Sequence, residues 1–255
     1  MKVIGMVPAR MAASRFPGKP LHPICGRPML AHVIGRAALY ANWDYLGLAT
    51  CDEEIAALGP ELEIAVVMTG NHHTRALDRV AEAVLKIDEQ VAGEDIVVCV
   101  QGDEPMLHPE MIAAVVDPIA NSDTIAATLL GTHITEESVW LNPDTVKLVH
   151  NAMGEILYTS RNPLPYARDG FSEALGARRV SGIFAFKWWA LQAFTQHPET
   201  RLELLESCDS NRILDMSFRQ YLAPYPATKF YSVDSPQDIQ AVEEALPADP
   251  YWGKY

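Results

Sequence analysis

Lys2-Val3-Ile4-Gly5-Met6-Val7 runs directly into Pro8-Ala9-Arg10-Met11-Ala12-Ala13-Ser14-Arg15-Phe16-Pro17-Gly18-Lys19-Pro20-Leu21. The first six residues read as a buried strand, because Val3, Ile4, Met6 and Val7 are apolar. The remainder cannot continue as a helix: Pro8, Pro17, Gly18 and Pro20 interrupt it. The strand therefore empties into a small-residue loop carrying Arg10, Arg15 and Lys19. Such a loop is suited to polyphosphate, with backbone N–H groups supplying dipoles and the side chains supplying charge. It lacks the Gly-x-x-x-x-Gly-Lys-Ser/Thr of a Walker loop and the Gly-x-Gly-x-x-Gly of a dinucleotide fold.

Outward from this loop, apolar strand-like runs alternate with helical patterns. Strands are expected at Val3–Val7, Tyr45–Thr50, Ile64–Met68 and Ile96–Gln101. Helices are expected at Met29–Tyr40, Glu53–Leu58, Thr74–Ile87 and Pro109–Ile119. The alternation predicts a mostly parallel sheet covered by helices on both faces, with ligands at the carboxyl ends of its strands. Residues about 124–190 change character, with runs at Thr124–Leu130, Thr145–His150 and Val180–Phe186. They read as a smaller antiparallel insertion or sub-domain bearing an acceptor-binding or dimer surface within a single domain of residues 1–255. Glu203–Asp215 and Pro236–Leu246 read as helices, and the tail Pro247–Tyr255 as a segment packed on a partner or disordered.

Two further stretches carry chemistry. Val97-Val98-Cys99-Val100-Gln101-Gly102-Asp103-Glu104-Pro105 delivers a carboxylate at the end of an apolar strand. A triphosphate reaction needs a hard divalent cation, and Mg²⁺ takes one or two carboxylates plus phosphate oxygens, so Asp103 is a candidate ligand. Tyr231-Ser232-Val233-Asp234-Ser235-Pro236-Gln237-Asp238 reads as a short strand ending in Asp234, with Ser235 as N-cap of the next helix and Asp238 in its first turn.

Composition narrows the partners. A net charge of −13 over 255 residues makes a general nucleic-acid binder a poor reading, so an anionic substrate must be drawn in by locally grouped cations. No apolar run approaches the roughly 20 residues of a membrane span, and an opening strand leaves no secretory signal in the reading. Cys25, Cys51, Cys99 and Cys208 form no C-x-x-C pair. They read as reduced thiols, and a cytoplasmic location is expected. His72-His73 is the one histidine grouping, read as loop residues.

The Pro-Ala-Arg…Ser-Arg-Phe-Pro-Gly-Lys-Pro-Leu loop and the Gln-Gly-Asp-Glu-Pro turn resemble the motifs of the sugar-acid cytidylyltransferases, above all the CMP-Kdo synthetases. The resemblance spans Val3 to Leu246. It implies a nucleotide-diphospho-sugar-transferase-like α/β fold, a homodimer, CTP as donor, a small anionic 2-keto-3-deoxy sugar acid as acceptor, and Mg²⁺. Carried onto this chain, it implies Lys19, Arg10, Arg15 and Asp103 as catalytic residues. Pro8, Ala9, Arg10, Ser14, Arg15, Lys19, His73, Arg75, Arg79, Gln101 and Gly102 would meet the nucleotide. Gln101, Glu104, Arg161, Val180 and Ser210 would meet the acceptor, with Arg161 pairing its carboxylate. Asp234 would join Asp103 on the metal. Lys147, in Asn142-Pro143-Asp144-Thr145-Val146-Lys147, would lie either near phosphate or sugar or at a strand edge.

Departures from the family fall on recognition positions. Arg75-Ala76-Leu77 stands where the family has Ser-Gly-Thr, Val180 where it has His, and Ser210 where it has Gln. Retained chemistry with an altered acceptor preference, and a remodelled base pocket, is the expectation they raise. The alternatives are a cytidylyltransferase for another small anion such as a phosphonate, or a non-catalytic nucleotide-binding subunit.

Overall fold

A computed structural model describes residues 1–12, 16–226 and 231–255; Ser14 and Arg15 of the basic loop lie outside the described residues. The chain runs β1 (Val3–Ala9), β2 (Pro23–Ile24), β3 (Arg27–Pro28), α1 (Met29–Ala38), β4 (Tyr45–Thr50), α2 (Glu53–Ala56), β5 (Ala65–Met68), α3 (Ala76–Lys86), β6 (Ile96–Val100) and α4 (Pro109–Ala120). It continues with β7 (Ala127–His133), α5 (Glu137–Leu141), β8 (Lys147–His150), β9 (Ile156–Ser160), β10 (Arg178–Lys187), α6 (Trp188–Gln196), α7 (Arg201–Glu206), α8 (Ser210–Asp215), β11 (Gln220–Pro224) and α9 (Asp238–Ala245).

A nine-stranded sheet carries the order β11-β7-β10-β6-β1-β4-β5, with β8 and β9 added beside β10. β1 pairs in parallel with both β4 and β6. After β1 the chain moves to the β4 side, whereas after β6 it moves to the other side. The carboxyl ends of β1 and β6 therefore diverge, which opens a crevice between their loops.

Both faces of the central strands are apolar, as parallel strands require. Along β6, Ile96, Val98 and Val100 join the core with Leu30, Val33 and Ile34 of α1 and Met111, Ile112 and Val115 of α4. Val97 and Cys99 point the other way, into the core with Val80 and Val84 of α3 and Leu191 and Phe194 of α6. Period-two alternation in the strand thus meets helical stripes spaced three to four residues apart. Each fully buried Leu or Ile contributes about 1.5–3 kcal/mol.

The antiparallel run at 124–190 builds no sheet of its own. β10 pairs antiparallel with β6, β7 and β8, so these strands extend the central sheet. The helix expected over Glu203–Asp215 is two helices, because Ser207 takes a left-handed φ of 50° between α7 and α8. The tail is packed on the chain's own first helix rather than disordered. Tyr255 packs on Gly35, where an added Cβ would meet its ring at 2.6 Å, and its hydroxyl bonds His32 at 2.8 Å. The fully buried Arg36 pairs with Asp249 at 2.8 Å. Among the described residues no helix is long and apolar enough to cross a membrane.

Candidate active site

The crevice between the ends of β1 and β6 holds a cleft bordered by Pro8, Ala9, Arg10, Lys19, Gln101, Gly102 and Asp103. The entry of α3 (His73, Arg75, Arg79) and Asp234 close it. Four segments far apart in sequence meet here. Gly102 is needed for the closest approach, since a Cβ there would lie 3.0 Å from the Pro8 carbonyl oxygen.

The basic loop is tied at several points. Met11 N–H donates to Asp52 Oδ2 at 2.8 Å, and Gly18 N–H donates to the Met11 carbonyl at 3.1 Å. Gly18 itself has a φ of 75°, which turns the chain into Lys19. The Lys19 ammonium donates to Asp103 Oδ2 at 3.0 Å and to the Val233 carbonyl at 2.7 Å. Arg10 Nη1 donates to the His73 carbonyl at 3.1 Å, joining the loop to the entry of α3. Arg79 is almost fully buried, donates to Thr69 and Gly70, and keeps a buried Nη2 without a hydrogen bond.

On the acidic side, Val233 N–H donates to the Asp103 carbonyl at 3.0 Å, which brings Asp234 to the same cleft. Ser235 is not the helix cap. The Asp238 carboxylate accepts N–H bonds from Asp234 at 3.0 Å and Ser235 at 2.7 Å, and the Ser235 hydroxyl at 2.9 Å, fixing the turn. Asp103 Oδ1 is out of solvent and has no hydrogen-bond partner. An unsatisfied carboxylate oxygen is costly, and a hard oxygen donor beside a second carboxylate fits a divalent cation such as Mg²⁺.

Glu104 does not border the cleft. It is 3% exposed, and its Oε1 accepts the Gly182 N–H at 3.0 Å, at the register shift in β10 between Val180 and Phe184. Burial, and then the neighbouring Asp103 charge, push its carboxyl well above the usual range. Gln101 contacts both regions: it lines the cleft, and its N–H donates to the Gly182 carbonyl at 2.9 Å.

The structure does not bring Arg161, Val180 or Ser210 to the cleft. The Arg161 guanidinium is taken up by carbonyls of Glu206 at 3.0 Å, Pro143 at 2.9 Å, Asp144 at 3.3 Å and Ser207 at 3.2 Å. Val180 is partly buried on β10, and Ser210 is buried at the start of α8. Lys147 is neither an edge residue nor a cleft cation. It is fully buried and donates to the carbonyls of Asn142, Thr145 and Arg161 at 2.5–2.7 Å. Burial, then the Arg161 charge, lower it to about 8.

His73 pairs with Glu82, whose carboxylate also accepts the Gly70 N–H at 3.1 Å and faces Lys86 at 2.5 Å. Ligand atoms of His72, His73 and Glu82 lie within 4.8 Å of one another, a grouping that the sequence reading, seeing only the two histidines, missed. It missed also Phe16, Pro20, Thr74 and Ala76 on the cleft wall. Their signal was position alone, inside the stretches already singled out for their polar neighbours.

A sequence model of a family described as cytidylyltransferase matches residues 4–220. A 3-deoxy-manno-octulosonate cytidylyltransferase of Nitratidesulfovibrio vulgaris (strain DP4) is 41% identical over 95% of this chain and 95% of its own. One of Syntrophobacter fumaroxidans (strain DSM 10017 / MPOB) is 36% identical over 98% of each. Among solved structures, a CMP:2-keto-3-deoxy-manno-octonic acid synthetase complexed with CTP superposes with a TM-score of 0.87 at 29% identity. That match covers 97% of this chain and 99% of the other. A 4-diphosphocytidyl-2C-methyl-D-erythritol synthase, at 16% identity and a TM-score of 0.64 over 96% of this chain and 99% of its own, shares the fold.

Proposed function

The chain belongs to the cytidylyltransferases, among the 3-deoxy-manno-octulosonate cytidylyltransferases, and from that membership we propose that it couples CTP to 3-deoxy-manno-octulosonate, giving the CMP-sugar and pyrophosphate. The observation that carries the reading is the buried, unpartnered Asp103 Oδ1, in a cleft that also holds Lys19, Arg10 and Asp234.

Asp103 and Asp234 would hold Mg²⁺. When bound, the ion supplies charge neutralisation of the triphosphate and orientation of its oxygens. Lys19 and Arg10 face the same cleft and stabilise negative charge as it passes to the departing pyrophosphate. Arg79, with one N–H group unspent, adds a further donor at the entry of α3. Gly102 lets the β1 and β6 loops close on the nucleotide and exclude water. The anomeric hydroxyl of the sugar acid attacks the α-phosphorus in line, so the chain works by positioning and charge rather than through a covalent enzyme intermediate.

We place the enzyme in the cytoplasm as a homodimer. Free Cys25, Cys51, Cys99 and Cys208 are in keeping with a reducing compartment, and exposed Leu157, Leu204 and Leu205 offer apolar surface to a second copy. Light scattering of the purified protein tests the dimer. Pyrophosphate release from CTP with 3-deoxy-manno-octulosonate, with and without Mg²⁺, tests the reaction. Release that is absent with CTP, or unchanged after chelation of divalent ions, contradicts the proposal.

A further inference from the structure

His72 and His73 lie in the segment between β5 and α3, and Glu82 lies within α3. Neighbouring residues of an extended chain point their side chains to opposite sides. Here the turn puts the two imidazoles together, with ring centroids 4.2 Å apart. One ligand atom from each of His72, His73 and Glu82 lies within 4.8 Å of the other two, and among the described residues no other three such side chains meet in this way.

Gly70 makes the arrangement possible. A Cβ at this position would lie 2.5 Å from His72 Nδ1 and 3.4 Å from Glu82 Oε2, so a side chain there would displace the imidazole and crowd the carboxylate. The carboxylate is itself oriented: the Gly70 N–H donates to both of its oxygens at 3.1 Å, and the Lys86 ammonium lies 2.5 Å from Oε1. Oε2 is the oxygen that meets His73 Nε2. A hollow bordered by His72, His73, Asp78, Glu82 and His197 opens onto the group and gives an ion its way in.

We propose that His72, His73 and Glu82 form a binding site for a divalent cation of the zinc class, separate from the Asp103–Asp234 pair and independent of the cytidylyl-transfer reading. Two imidazoles and one carboxylate suit Zn²⁺ and its neighbours, whereas Mg²⁺ takes oxygen ligands in an octahedron. Three protein ligands leave a fourth tetrahedral position for water. Ligand atoms at 2.0–2.1 Å from a tetrahedral ion stand roughly 3.4 Å apart, so side-chain rotation closes the group on an ion. The direct bond between His73 and Glu82 is exchanged for two bonds to the metal. The ion clasps the turn before α3 to α3 itself. His73 also borders the nucleotide cleft, and its carbonyl accepts Arg10, so the clasp holds backbone to which the basic loop is tied.

The test is calorimetric titration of the metal-stripped, full-length protein with Zn²⁺, together with melting temperatures at each zinc concentration. Wild type is compared with His72→Ala, Glu82→Gln and Asp103→Asn. His72 is exposed, so its truncation leaves the core intact and decides the matter if Glu82→Gln proves unstable. His72→Ala and Glu82→Gln should weaken zinc binding at least about tenfold, the loss seen even for groups that only support a metal ligand. Asp103→Asn should keep this binding. Zinc should raise the melting temperature of wild type and Asp103→Asn by mass action, and that of His72→Ala less. Mg²⁺ at the same concentration should leave the zinc isotherm unchanged. Equal zinc affinity in wild type and His72→Ala overturns the site, as does zinc binding lost only in Asp103→Asn. Wild type that binds no zinc, or zinc displaced by equimolar Mg²⁺, overturns the class of ion.

Discussion

The Lys19 ammonium lies 3.0 Å from Asp103 Oδ2, joining the basic loop after β1 to the acidic turn after β6. The same ammonium reaches the Val233 carbonyl at 2.7 Å, so one cation locks three chain segments around the cleft. The pair consumes only one Asp103 oxygen; the other stays buried and unpartnered. Lys19 therefore orients the carboxylate and leaves its second oxygen without a hydrogen bond.

Asp103→Asn should fold normally and lose activity by about two orders of magnitude or more, the size of effect seen when an electrostatic group is taken from a transition state. The amide oxygen still meets Lys19, but an NH2 group, which donates hydrogen bonds and does not ligate a hard cation, takes the place of the free carboxylate oxygen. Circular dichroism would report the fold and pyrophosphate release the activity. Near-normal turnover would show that no cation sits on Asp103.

Glu104 and Gly182 give a second test. Because burial and the Asp103 charge disfavour the ionised form, Glu104→Gln keeps an uncharged acceptor for the Gly182 N–H and should unfold in urea close to wild type. Glu104→Ala leaves that N–H unpaired in the β10 bulge and should cost about 1–3 kcal/mol. Equal stability of the two variants would mean that the bond contributes nothing.

The C-terminal tail is expected to be part of the folding unit. Asp249→Ala strands the fully buried Arg36 guanidinium, and removing one member of a buried pair costs about 3–5 kcal/mol. Chemical denaturation measures it, and a change under about 1 kcal/mol would place the tail outside the cooperative core.

Acid stability should depend on Glu82. Against a desolvation cost, hydrogen bonds from Lys86, His73 and the Gly70 N–H hold its carboxyl down to about 2. A carboxyl depressed on folding stabilises the protein above its ordinary value near 4.5, and that contribution fades as pH falls from there through about 2. The difference in melting temperature between wild type and Glu82→Gln should accordingly shrink across this window. A difference that does not vary with pH would refute the assignment.

Local sequence was a good guide where chemistry and chain direction coincide. β4 was legible to the residue, and the place of Gln101-Gly102-Asp103 at a strand end bordering the cleft could be read because an apolar run stops abruptly at a glycine and a carboxylate. The acceptor residues were another matter. Val180 and Ser210 stood out as departures from a family pattern, but neither borders the cleft, so the altered acceptor preference they suggested rests on no contact in the structure. Arg161, expected to pair with the acceptor's carboxylate, has its guanidinium hydrogen-bonded to four carbonyls.

By itself the sequence determined the parallel α/β core and the non-helical basic loop after its first strand, because strand and helix periodicity and the backbone limits of Pro and Gly act over a few neighbours. It also determined the family, which residues from Val3 to Leu246 carry in order. Only the tertiary structure decided that Lys147 is buried, that Tyr255 packs on α1, that β7 and β10 join the central sheet, and that Arg75, at the wall of the cleft, also pairs with Glu199 and Asp209. Those outcomes depend on which distant carboxylates, carbonyls and edges the fold brings within hydrogen-bonding distance, and the energies of burial and charge are set by those neighbours rather than by the residue itself.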